Sequence, residues 1–144
     1  MTRAPMIATL WRSVRSAVGT RGEIDPCEPV DGASKLTLPG WSPATFEGHR
    51  RSLATWRSTT HAVIDIDGGG LTADAVRAAL DGLEALAHSS PGSTPDAPRW
   101  RVIVPLDATC TDAAVYARPV GMLCDRLTAA GAEVDRAVSC DVAR

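Results

Sequence analysis

Lysine is almost missing from these 144 residues: Lys35 is the only one, and the other basic side chains are arginines. Codon composition accounts for part of such a bias, so it carries little functional weight. A charge excess of either sign is missing too. A formal net charge of −2 does not announce a nucleic-acid binder, which is more often basic overall, although a local basic stripe can sit on an acidic body. The four cysteines, Cys27, Cys110, Cys124 and Cys140, form no C-x-x-C pair and have no partnered histidines. That argues against a structural zinc and against a disulfide framework, and reads as small thiols in a reducing compartment. No run approaches the roughly 20 apolar residues of a membrane span. Arg12 and Arg15 interrupt the apolar stretch near the N-terminus, so no signal-peptide core fits there. The expectation is a cytoplasmic protein with no membrane partner. No internal repeat is visible. Gly68-Gly69-Gly70 makes neither G-x-G-x-x-G nor G-K-[ST], so no phosphate-binding loop is present.

What remains is ordinary for a globular chain, at 44% apolar and 22% charged residues. This length supports one domain with a real core, burying about two-thirds of its unfolded surface. Residues 7–18 carry apolar side chains at 7, 10, 11, 14, 17 and 18, a helical period, followed by a turn-rich linker over 19–34. Lys35 to Leu38 reads as a short strand ended by Pro39-Gly40. Residues 1–40 are therefore expected to be an N-terminal helix and Pro/Gly-rich linker, with the main domain over 41–144. Ser42-Pro43 resembles a helix start, weakened by Phe46-Glu47-Gly48. Residues 59–67 read as a strand. Thr72 then caps a helix with Asp74 in its first turn and an apolar stripe at Val76, Ala79, Leu80, Leu83, Leu86 and Ala87. A Ser/Pro/Gly loop over 89–97 leads to a second strand over 100–105. Trp100, Val102 and Val104 share one of its faces, and Arg99, Arg101 and Ile103 the other. Thr111-Asp112 caps a further helix, which Pro119 should kink or restart and Gly131 should end. Alternating strands and helices give the fold class: α/β (α+β), a small central sheet flanked by helices.

Chemistry concentrates in His61-Ala62-Val63-Ile64-Asp65-Ile66-Asp67-Gly68. A strand has a side-chain period of 2, so Asp65 and Asp67 face one way, with Cβ atoms about 6–7 Å apart at roughly 3.3 Å of rise per residue. Aspartate is out of place in such a strand, and two together repel unless protons or a cation neutralise them. Their spacing suits hard divalent cations, and glycine after the pair leaves the approach open. The plain alternative is a pair of solvated strand-end carboxylates. Arg99 and Arg101 are candidates for phosphate contacts, or are solvated strand-face charge. Trp100 between them is placed to stack on a base or to pack in the core. Trp11, Trp41 and Trp56 read as core or interface, and His88 as structural.

The order of pieces resembles the primase-polymerase core of the archaeo-eukaryotic primase superfamily, in the form found in phage and plasmid replication proteins. Those pieces are Ile64-Asp65-Ile66-Asp67-Gly68, then Ser93-Thr94-Pro95-Asp96-Ala97-Pro98-Arg99-Trp100-Arg101, then Val104-Pro105-Leu106. Thr111-Asp112-Ala113-Ala114-Val115-Tyr116 and an acidic tail from Asp135 to Asp141 and Arg144 follow. The resemblance implies template-directed nucleotidyl transfer in replication of a mobile element. Asp65 and Asp67 would hold Mg²⁺ or Mn²⁺, and Asp135 or Asp141 would supply a third acidic ligand, Asp135 being the one assigned. Arg99, Arg101 and Ser93 would contact the nucleotide. Partners would be nucleoside triphosphates, a DNA (or RNA) template and a replicative helicase encoded separately or downstream. The chain departs from the pattern in two places. Ser93 stands where many relatives have a histidine, and the core looks incomplete at its C-terminus. An inactive remnant, or a nucleic-acid or partner-binding module of the same fold, is the alternative. A haloacid-dehalogenase-type phosphatase, with Asp65 as nucleophile and Asp67 as acid/base, is a third reading. Gly69 in place of threonine and the lack of a downstream lysine count against it.

Overall fold

The structure is a computed structural model that describes residues 6–11, 20–24, 40–90 and 92–143. Its strands are β1 (Met6–Trp11), β2 (Thr20–Ile24), β3 (Gly40–Ser42), β4 (Ala44–Phe46), β5 (Trp56–Gly68), β6 (Leu86–Ser89), β7 (Trp100–Cys110) and β8 (Glu133–Val134). The helices are α1 (Ala73–Ala79), α2 (Ala113–Ala129) and α3 (Arg136–Ser139). A three-stranded sheet has the order β2-β1-β3, and a five-stranded sheet the order β4-β5-β7-β6 with β8 also on β5. Every pairing among these strands is antiparallel. The architecture is thus mixed α+β, without the parallel sheet that a regular strand–helix alternation would build.

From β5 onward the chain runs β-α-β-β-α-β. β5 and β6 lie on either side of β7, which is antiparallel to both, so they are parallel to each other across it. This is the split βαβ arrangement. β8 returns to the outer edge of β5, pairing Val134 with Ile66 and Glu133 with Gly68. Period-2 alternation then sorts the sheet into two faces. Ala62, Ile64, Ile66, Val102 and Val104 join Val76 of α1, its C-cap Leu80, and Tyr116, Val120, Leu123, Cys124 and Leu127 of α2 in one core. The opposite face carries a second, small cluster of Val63 and Ile103, with Leu86 against it.

Local signals explain the helices. Thr72 Oγ1 accepts the Ala75 N–H at 3.2 Å, and Asp112 Oδ1 accepts those of Ala114 and Val115 at 2.8 and 3.3 Å. The α2 C-terminus closes with Gly131 N–H on the Thr128 carbonyl and Ala132 N–H on the Leu127 carbonyl, with Gly131 at φ +99°. That is the Schellman arrangement, and it demands the left-handed backbone glycine adopts freely. α2 continues through Pro119 without restarting.

Several expectations do not hold. The helix capped by Thr72 ends after seven residues; Gly82 turns left-handed at φ +80°, and Leu86–Ser89 is strand β6. Leu83, Leu86 and Ala87 continue a helical stripe on paper, but β7 offers an unpaired edge that Leu86–Ser89 satisfies. Met6–Trp11 is a strand where a helix was expected, paired on both sides, and Thr20–Ile24 is a strand where a linker was expected. Ile7, Thr9 and Trp11 are strand-prone types, and ladder pairing outweighs a modest helical period. Residues 12–19 and 25–39, which include the expected strand Lys35 to Leu38, lie outside the described residues. Ser42-Pro43 starts no helix: it joins β3 to β4, with Ser42 Oγ accepting the Ala44 N–H at 3.2 Å.

Candidate functional site

The end of β5 holds the candidate site. Asp65 is directly opposite Arg101 in the β5–β7 register, as His88 of β6 is opposite Arg101 on its other side. These three positions form one row across the sheet face turned away from α1 and α2. Arg101 Nε donates to Asp65 Oδ1 at 2.9 Å and Nη2 to Oδ2 at 3.2 Å, a forked pair. The side chains are 29% and 17% exposed, so the pair is largely dehydrated yet reachable from solvent. Burial pushes the Arg101 guanidinium below its ordinary value, and the nearby Asp67 carboxylate opposes that push. Arginine starts so high that it stays a cation throughout.

The backbone beneath Asp65 is braced from the β5 edge. Its N–H donates to Ser139 Oγ at 3.1 Å, and its carbonyl accepts the Asp135 N–H at 3.0 Å. The Ser139 hydroxyl in turn donates to the Asp135 carbonyl at 2.6 Å. Ser139 is fully buried, and the Tyr116 hydroxyl donates to its carbonyl at 3.4 Å. Burial raises the Tyr116 phenol to about 12, so it remains a neutral donor. α3 therefore acts as a clamp that fixes where the Asp65 carboxylate projects.

Asp67 is exposed two residues on, where period 2 puts it on the face of Asp65. Gly68 is paired with Glu133 of β8, and a Cβ on Gly68 would collide with the Glu133 carboxylate. Gly69, at φ +94°, passes so close to the Gly131 carbonyl that no side chain fits. The glycines after the aspartates thus admit the β8 segment as well as leaving space in front of the carboxylates.

The other candidates are scattered. Asp135 lies at the β5 edge, and its Oδ1 caps α3 by accepting the Val138 N–H at 3.0 Å. Ser93 Oγ accepts the Arg99 N–H at 2.9 Å and so braces the loop before β7. The Arg99 guanidinium lies over Gly92, its Nη1 3.4 Å from where a Cβ would be. Trp100 packs against the helix-side core, and its Nε1 donates to the Leu71 carbonyl at 2.8 Å. Among the described residues no three His, Cys, Asp or Glu side chains converge where an ion could be held, so Asp135 is not brought to the Asp65 and Asp67 pair. Sequence reasoning missed Ser139 and the partnership of Asp65 with Arg101. Opposite charges on two strands of one sheet hinted at that partnership, but only the register reveals it. Among the described residues no helix is long and apolar enough to cross a membrane. No protein-family model, no curated protein and no solved structure matches the chain.

Proposed function

We propose that this chain is a primase-polymerase-type domain that binds a nucleoside triphosphate on the charged face of its sheet and carries out template-directed nucleotidyl transfer. One observation supports the reading above the others. Asp65 and Asp67 stand at the end of a central strand, across from a forked arginine and just before a glycine turn into a helix.

Asp65 and Asp67 would hold Mg²⁺ or Mn²⁺. Two carboxylates on one strand face, one exposed and one partly so, fit a hard cation by donor chemistry, with Arg101 as the competing charge. When bound, such an ion neutralises the triphosphate and activates a 3′-hydroxyl for in-line attack. The chain's own residues orient the substrate. Arg101 presents a planar fork matched to phosphate oxygens, and Ser139 and Asp135 keep the Asp65 backbone from shifting. Arg99, exposed just before β7, would contact the template backbone or the outer phosphates.

A second reading is a binding module of the same fold without chemistry. The Asp65–Arg101 pair favours it, because a carboxylate with both oxygens engaged needs no ion. The same engagement leaves Asp65 ill-suited as a phosphatase nucleophile. Primer extension with Mn²⁺ on a primed template separates the two main readings. Template-directed incorporation that falls by about a hundredfold or more in an Asp65→Ala/Asp67→Ala chain supports the enzyme. A folded wild-type chain that incorporates nothing, yet retards a single-stranded oligonucleotide, supports the binding module.

A further inference from the structure

We propose that the Asp65–Arg101 pair is an exchangeable latch, which makes the site accept a divalent cation and a triphosphate together while disfavouring either alone. The inference rests on the nucleotidyl-transfer reading and specifies how that site is regulated.

The argument starts from the balance of charge. Each member of the pair is the other's counter-ion, at 2.9 and 3.2 Å, in a setting that leaves the side chains only 29% and 17% exposed. Removing one partner from a largely dehydrated ion pair strands the other, and that is costly. A cation arriving alone at Asp65 must therefore drive off Arg101, which has Asp67 as its remaining nearby countercharge. A polyanion arriving alone must strip Arg101 away and leave Asp65 facing phosphate. A ligand carrying both charges avoids both penalties. The carboxylate exchanges guanidinium for cation, the guanidinium exchanges carboxylate for phosphate, and each charge stays matched throughout. Because α3 fixes the Asp65 backbone through Ser139 and Asp135, the exchange requires side-chain rotation only. Coupling of this kind is reciprocal: whatever factor the polyanion adds to cation affinity, the cation adds to polyanion affinity.

Two charge-removing variants of the full chain test the latch, each checked for fold by circular dichroism. Arg101→Gln keeps an amide donor near Asp65 but releases its charge. Asp65→Asn keeps the shape and frees Arg101. Three ligands are titrated calorimetrically: Mn²⁺ alone, tripolyphosphate alone in chelator, and the preformed Mn²⁺–deoxynucleoside triphosphate complex. The latch predicts that Arg101→Gln binds Mn²⁺ alone about tenfold or more tighter than wild type. It predicts that Asp65→Asn binds tripolyphosphate alone tighter by a similar factor, and that both variants bind the complex more weakly. Both single-ligand gains are required. If wild type binds the complex while either gain is absent, the latch is overturned and the nucleotide-binding reading stands. If no folded protein binds any of the three ligands, both are overturned.

Discussion

The two faces of the main sheet are built from the same strands and obey different rules. On the helix side, Ile64, Ile66, Val102 and Val104 merge with α1 and α2 into one continuous apolar core. On the other side only Val63 and Ile103, with Leu86, form an apolar patch, and Asp65 and Arg101 lie one row further along. Alternate residues of β5 thus divide the labour: even-numbered positions from 62 to 66 hold the fold together, while Asp65 and Asp67 carry charge. The contrast teaches that charge in a strand this apolar is tolerated because Asp65 has Arg101 across the ladder and Asp67 lies exposed at the strand end. Ala62–Ile66 alternation on one face leaves the other free for chemistry.

Substitutions can break that contrast, and the largest effect belongs to the helix side. Ile66→Ala, at a fully buried position, is expected to cost about 2–5 kcal/mol of stability, read as a lower urea midpoint. Next comes the pair. Arg101→Ala should cost about 1–3 kcal/mol, discounted from a fully buried pair because both side chains keep some contact with water. A double-mutant cycle with Asp65→Ala should recover much of that loss as coupling. Additive losses would mean that the two charges are solvated independently.

The smallest effect is a pH slope from His61, which shares the face of Asp65 but lies near the middle of β5. Burial lowers its pKa below the ordinary 6.5, with Glu84 opposing. The folded state therefore binds fewer protons than the unfolded state. Its contribution is complete above about pH 6.5 and declines as the pH falls from there toward the lowered folded value, where the loss levels off. His61→Gln should remove that slope, which cannot exceed about 1.4 kcal/mol per pH unit, in urea melts from pH 7.5 to 5.

Much of the sheet's division was legible in the sequence, because period 2 is a local property. The aspartate pair on one face of β5, the sorting of Trp100, Val102 and Val104 away from Arg101 and Ile103, and the Thr72 and Asp112 caps all follow from neighbours within a few residues. What was not legible depends on distant partners. Leu83, Leu86 and Ala87 extend a helical stripe, and only the waiting edge of β7 makes Leu86–Ser89 a strand. Arg101 has no visible counter-ion in the sequence, and only the register puts Asp65 across from it. Glu133 meets Gly68, and Ser139 the Asp65 backbone, from a two-residue strand and a four-residue helix, elements too short to leave a periodic trace. Lone serines and glutamates in such segments carry no signal of their own.

The most direct test of a fold-bearing face and a chemical face is Mn²⁺-induced line broadening in amide spectra of the isotope-labelled chain, recorded with a deoxynucleoside triphosphate present. The account predicts that amides of residues 65–68 and 99–101 broaden first, while those of residues 120–127, in the α2 core, broaden last. Broadening centred on the helix side, or none anywhere in a well-folded spectrum, would contradict it.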